Sequence, residues 1–145
     1  MAQRAFTYDN KLLMKDAGLV AASAAATVAA AAKVLDLGAG RVEGTVVIDV
    51  SAVEVATGDE GYQIEWQLSP DATFGTAANI RCSSTLKLGD STVNGSGADS
   101  TVGHFELPVV NEFQEVVYRY ARLYTRVVGT IATGINYTAF LSKAA

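Results

Sequence analysis

The stretch GYQIEWQLSPD, residues 61–71, decides the fold class. Tyr62, Ile64, Trp66 and Leu68 fall on one side of an extended chain, and Gln63, Glu65, Gln67 and Ser69 on the other. That period of two marks a strand with one buried face. Pro70 and Asp71 then end it. The fully apolar side makes Trp66 a core residue.

The same period spreads in both directions. Upstream, GTVVIDVSAVEVATG (44–58) is long and β-branched, with Val46, Ile48, Val50 and Ala52 on one face and Asp49 and Ser51 on the other. KVLDLG (33–38) is a short strand before it. Downstream, NIRCSSTLKLGD (79–90) alternates through Ile80 and Cys82, then Leu86 and Leu88. GHFELPVV (103–110) aligns Phe105, Leu107 and Val109, and Pro108 lacks a ladder donor, which suits an edge or a bulge. EVVYRYARLYTRVVG (115–129) is the longest strand candidate. INYTAFLSK (135–143) closes the series, with residues 129–134 expected as a hairpin turn before it. The turn signals are TGDEG, SPDATFGT and a long loop over 89–103 rich in Gly, Ser and Asp. No helical period occurs after residue 32. Seven or eight short strands separated by such turns predict an all-β antiparallel sandwich or jelly roll.

Length and composition agree with a single core. A chain of 145 residues buries roughly 68–70% of its unfolded surface. Half of the residues are hydrophobic, which argues against overall disorder. The net charge of −4 argues against nucleic acid, whose partners carry a basic face. One cysteine, Cys82, allows no internal disulfide and reads as a small core residue.

Residues 14–38, MKDAGLVAASAAATVAAAAKVLDLG, have a different character. An export signal would place Arg4, Lys11 and Lys15 before an apolar core at 19–32, but Asp9 and Asp16 interrupt the positive region and the core is mostly alanine. The apolar run is also shorter than the roughly 20 residues of a membrane span. The segment therefore reads as a working part of the mature protein. Alanine favours helix, but the same residues suit an extended arm, and the sequence leaves both open. Residues 1–32 hold too few large apolar side chains to fold alone. They form an N-terminal arm that must be ordered by packing against something else, and residues 33–145 form the single jelly-roll domain.

Chemistry is sparse. His104 is the only histidine, and without a second His or Cys nearby it suggests no zinc site. No G-x-S-x-G elbow accompanies it. Asp59, Glu60, Asp90 and Asp99 sit in turns but lack the calcium-loop spacing. Glu54, Glu65 and Glu106 read as solvated faces rather than a glycosidase pair. The glycine-rich loop has no phosphate-binding motif. The expectation is no catalytic residue, no metal and no cofactor. One unusual feature is VYRYARLYTR. Tyr118, Tyr120, Arg122, Tyr124 and Arg126 share one face of a strand, opposite Arg119, Ala121, Leu123 and Thr125. Tyrosine and arginine are enriched at protein interfaces and their hot spots, so this face is the candidate interface.

Several of these residues also carry a resemblance. Asp16-Ala17 and a run of small residues lead into Val34, Asp36, Leu37 and Gly38. Near the end, Tyr120, Arg122 and Leu123 lead through Gly129 and Gly134 to a last strand carrying Ala139. Over nearly its full length the chain resembles the small capsid cement (decoration) proteins of tailed bacteriophages, which have a jelly-roll fold. The resemblance implies a non-enzymatic structural virion protein on the outer surface of a phage head. It would bridge and stabilise major capsid protein subunits, with neighbouring copies of itself (a homo-oligomer) as further partners and neither nucleic acid nor membrane. Assembly would take place in the host bacterial cytoplasm, where an absence of cysteine pairs is ordinary. The alternative is a carbohydrate-binding jelly-roll module. That would need an exposed aromatic platform, and Trp66 is the only tryptophan.

Overall fold

The computed structural model describes residues 6–89 and 102–143. Two antiparallel sheets face each other. The first runs β1 (Leu13–Lys15), β14 (Ile135–Lys143), β7 (Glu43–Val53), β10 (Gly103–Val110), and β2 (Leu19–Val20) also pairs β14. The second runs β3 (Ala24–Ala25), β13 (Tyr120–Val128), β8 (Gly61–Ser69), β9 (Arg81–Gly89), and β6 (Leu35–Asp36) also pairs β13. Two small hairpins, β4–β5 (Thr27–Val28 with Ala31–Ala32) and β11–β12 (Glu112–Phe113 with Val116–Val117), lie outside these sheets. The pairing is nested. β8 pairs β9, β7 pairs β10, β13 pairs β3 and β6, and β14 pairs β1. This is one long hairpin rolled into a sandwich, the wrapping of a jelly roll.

The period of two places the core as expected. Tyr62, Ile64, Trp66 and Leu68 meet Val46, Ile48, Val50, Leu123, Tyr137, Ala139 and Leu141 between the sheets, all nearly or fully buried. Trp66 is 1% exposed, and its Nε1 donates to the Val110 carbonyl at 3.1 Å. The hydroxyls of Tyr62 and Tyr137 reach the Glu54 carbonyl and Thr125 Oγ1, respectively, so neither buried phenol lacks a partner. Pro108 sits on β10, an edge strand, as its missing donor requires. Its carbonyl accepts from Ser84 Oγ at 3.0 Å on the neighbouring edge β9.

Several expectations are corrected. Cys82 is exposed, not core. β9 pairs Trp66 with Ser84 but Gln67 with Cys82, so Ser83 is an extra residue. That bulge turns everything before it to the opposite face. A similar shift at Ser51 pairs Val53 with Ile135 and takes Ala52 off the inward row of Val46, Ile48 and Val50. The long candidate strand at 115–129 is broken, because a bend at Arg119 separates Val116–Val117 from Tyr120–Val128. Residues 129–134 are not a hairpin turn. They carry the chain from the second sheet to the first. The long loop expected at 89–103 lies largely outside the described residues, as do Asp90 and Asp99.

Residues 13–36 are extended, and among the described residues the only helical turns are 3-10 segments at Asn10–Leu12 and Ala77–Asn79. These residues form an edge of both sheets. What orders them is the chain's own β13 and β14, through bonds such as Ala26 N–H to Leu123 O at 2.9 Å and Leu37 N–H to Arg119 O at 2.8 Å. The turn between β1 and β2, both paired with β14, is held by Lys15, and Asp16 ties that turn to the β4–β5 hairpin. Lys15 is 3% exposed. Its Nζ donates to the carbonyls of Asp16, Gly18 and Tyr137 at 2.9–3.0 Å, and it lies over the Tyr137 ring. Burial pushes this ammonium below its ordinary range, partly opposed by the Asp16 charge. Asp16 Oδ2 accepts from Ala29 N–H at 2.7 Å.

The loops that cross between the sheets beside residues 20–24 are held by carboxylates. Glu54 accepts from the amides of Ala132, Thr133 and Gly134. Asp59 accepts from Thr130 N–H and both the Thr57 and Thr130 hydroxyls. Glu60, fully buried, accepts from Thr57 Oγ1 and the amides of residues 57–59. Burial alone would raise the Glu60 carboxyl, but these donors outweigh it and hold the group below its usual range. Glu54 is therefore a loop staple and not a solvated face.

Two stability outcomes follow. Trp66→Ala should cost roughly 3–5 kcal/mol in denaturant unfolding. The β4–β5 turn places Ala29 and Ala30 at φ of 53° and 65°, where a two-residue hairpin favours Asn-Gly. Replacing both with Asn-Gly should stabilise the fold by about 1 kcal/mol, set by the left-handed penalty for residues with a Cβ, and raise the melting temperature.

Candidate interaction face on the outer side of the second sheet

Strand β13 sets Ala121, Leu123 and Thr125 inward, all at most 1% exposed. The alternation forces Tyr120, Arg122, Tyr124 and Arg126 outward, and the structure brings these four together. Tyr118 does not join them. Its N–H donates to the Asn111 carbonyl and its carbonyl accepts from Asn111 Nδ2, and the ring packs against the core. The bend at Arg119 breaks the alternation there. It also frees Arg119 from the inward row, and that guanidinium instead forms a two-pronged pair with Asp36 at 2.8 Å per bond. The Arg119 bonds and the Gly38 amide hold the Asp36 carboxyl down at about 2.

Beside the row, β8 presents Glu65, which the sequence alone reads as solvated, and Gln67 on the same face. They are 7% and 5% exposed. Register explains the difference: Tyr124 stands opposite Glu65 and Arg122 opposite Gln67, so long side chains from β13 fold over them. Arg126 grips Glu65 through Nε at 2.9 Å and Nη2 at 3.3 Å. Gln67 Nε2 donates to Glu65 Oε2 at 2.8 Å, which leaves Gln67 Oε1 to accept from Arg122 Nε at 2.9 Å. The result is a relay, Arg126–Glu65–Gln67–Arg122, in which each group fixes the next. Burial on its own would raise the Glu65 carboxyl, but the bonds from Arg126 and Gln67 bring it below its ordinary value.

Arg122 differs from its neighbour. It has no carboxylate. Its guanidinium lies 4.3 Å from the Phe74 ring centroid and 5.2 Å from that of Tyr124, and burial lowers its pKa. Phe74 itself is 7% exposed and sits at a positive φ of 51°. Stacking removes rotamer freedom, and the Nε bond fixes the plane of the fork. Arg122 lines a groove of about 370 Å³, and its two Nη groups make no hydrogen bond among the described residues. Glu65, Gln67, Arg122, Tyr124 and Arg126 make its polar wall, and Ala77, Ile80 and the exposed Cys82 complete it. With one carboxylate and two guanidiniums, the groove is positive within an otherwise acidic chain.

The other sheet offers less. Its outward side carries His104, bonded through Nδ1 to Asp49 at 2.9 Å with Glu106 at 3.7 Å. The Asp49 bond raises the histidine pKa. Residues 6–12 lie across this side: Phe6 is near His104, Tyr8 packs edge-on to Phe140 at 5.3 Å, and Val47, although outward, is 3% exposed. Among the described residues no three His, Cys, Asp or Glu side chains converge in a metal-binding group, and no helix is long and apolar enough to cross a membrane.

A comparison with models of known protein families finds no match, and a search of curated proteins finds no similar sequence.

The relay gives a defined pH response. The folded pKa of Glu65 lies below its unfolded value, so its contribution is complete above roughly pH 4.3 and is lost as pH falls through the folded value. Glu65→Gln should flatten the loss of stability on acidification below that point. Arg126→Ala should cost roughly 1–2 kcal/mol, the lower part of the range for charged hydrogen bonds, because Arg126 is half-exposed. Chemical denaturation across pH 3–7 (a range set by carboxylate titration) checks both.

Proposed function

We propose that this chain is a structural virion protein, a capsid cement or decoration protein on the outer surface of a phage head. In this reading it bridges and stabilises major capsid protein subunits. The observation that carries the proposal is the outward face of the second sheet. Tyr120, Arg122 and Tyr124 are half-buried there, and a stacked guanidinium without a carboxylate lines a groove. A side chain fixed in this way resembles an anchor awaiting a partner group, since Arg and Tyr dominate interface hot spots. The likeness of the sequence to cement proteins supports the same reading and supplies the partner. Repetition of modest contacts over a shell then gives firm attachment. A carbohydrate-binding role is less well supported, because Trp66 spends its ring in the core.

The test is a double substitution, Arg122→Ala with Tyr124→Ala, read by thermal unfolding and by co-sedimentation with heads stripped of the protein. The proposal expects an intact fold and head binding weakened by at least an order of magnitude, as two hot-spot truncations would give. Wild-type protein that fails to bind heads in a fixed ratio to the major capsid protein would overturn it.

A further inference from the structure

Among the described residues one carboxylate, Glu115, is left without a partner, and of the arginines only Arg122 has both Nη groups without one; the ammoniums of Lys11, Lys33, Lys87 and Lys143 also have none. Among the described residues, nearly every carboxylate has a partner. Asp9, Asp16, Glu54, Asp59, Glu60 and Asp71 accept from backbone amides. Asp36, Glu43, Asp49, Glu65, Glu106 and Glu112 pair with Arg or His. Glu115 is the exception, with neither a hydrogen bond nor an ion pair among the described residues. On the positive side, Arg41, Arg119 and Arg126 have carboxylates, and Arg81 bonds the carbonyls of Ala78 and Ile80. Arg122 lines an open groove, and its Nη groups have no partner among the described residues.

The position of Glu115 is also built. Gln114 and Glu115 have φ of 50° and 67°, the left-handed pair of a tight two-residue turn. This turn joins β11 to β12, so Glu115 stands at the tip of a hairpin. Next to it, Val116 and Val117 are 52% and 40% exposed, unusual for β-branched residues. The tip thus offers one carboxylate beside two bare apolar side chains. The groove offers one free guanidinium edge beside Phe74, Tyr124, Ala77 and Ile80. Its volume of about 370 Å³ equals that of roughly a dozen liquid waters, enough for the end of a hairpin.

We infer that the partner of this groove is a second copy of the chain, whose 112–117 hairpin docks Glu115 on Arg122 and Val116 against the aromatic and apolar wall. The inference rests on the reading of the outward face as an interface and names the occupant. Tip and groove are different surfaces, so the contact is head-to-tail, and it closes into a ring or continues as a chain. A preorganised guanidinium edge meeting a carboxylate gives a charge-assisted bond with fixed geometry, and the valines add burial.

The experiment uses the full chain without heads, so its outcome is separate from shell binding. Sedimentation equilibrium should show concentration-dependent association of the wild type. Glu115→Arg, at an exposed tip where the fold is not at risk, should weaken it at least tenfold, and Arg122→Glu should do the same. Mixing the two variants should restore association, because each junction then joins opposite charges. A wild type that stays monomeric overturns the inference. Association indifferent to Glu115→Arg, or a mixture no better than either variant alone, also overturns it. Loss of head binding by Arg122→Glu in a monomeric wild type would assign the groove to a shell subunit instead.

Discussion

A buried ammonium fixes the edge segment of the chain on the first sheet. Lys15 gives up its water to donate to three carbonyls, two in the turn that follows it and one on β14. The chain needs this because residues 13–36 run along the edges of both sheets with little apolar surface to guide them. Most of their alanines are exposed. Burial of Met14, Ala26 and Leu35 fixes single points along the path. Lys15 fixes the β1–β2 turn by donating, and Asp16 ties that turn to the β4–β5 hairpin by accepting. An ammonium buried without those acceptors would be strongly destabilising. Each of its protons finds a carbonyl, so the cost becomes specificity for one path.

The loops that cross between the sheets use the reverse sign. Glu54, Asp59 and Glu60 face loops whose amides have no strand to pair with, and each carboxylate accepts several of them. Gly129 and Gly134, at φ of 98° and 88°, let these loops pass close to the Asp59 and Val20 carbonyls, where a Cβ would collide. These acidic residues are committed to backbone amides and threonine hydroxyls of the loops. Residues 6–12 lie on the outer side of the first sheet, and the outward face of the second sheet carries Tyr120, Arg122, Tyr124 and Arg126.

Much of this was legible in the sequence, and what was not has physical causes. Period two located β7, β8, β10 and β14 and their inward residues, because these strands have one face in the core. It failed where an extra residue changes the count. Ser83 turned Cys82 outward, and the bend at Arg119 removed Tyr118 from the row of Tyr120, Arg122 and Tyr124. It was silent for β1 to β5, whose two- and three-residue segments are too short for any period, while β6 lies within the strand expected at 33–38. Alternation also reports which face a residue is on, not what covers it. Glu65 and Gln67 were correctly placed opposite the core, yet they are buried by arginines from the neighbouring strand. The cross-strand match of acid on β8 with base on β13 was the signal available for that.

The account stands on residues 13–36 being an intrinsic edge of both sheets, ordered by the chain itself rather than by an assembly. Amide hydrogen exchange on the isolated protein, at a concentration where it is monomeric, tests this most directly. The account predicts protection at Ala26, Lys33 and Leu37, whose amides bond the carbonyls of Leu123, Ala26 and Arg119, together with protection across β13. Exchange of residues 13–37 at free-chain rates while β8 and β13 stay protected would contradict it, and would make the segment an arm that only a partner can order.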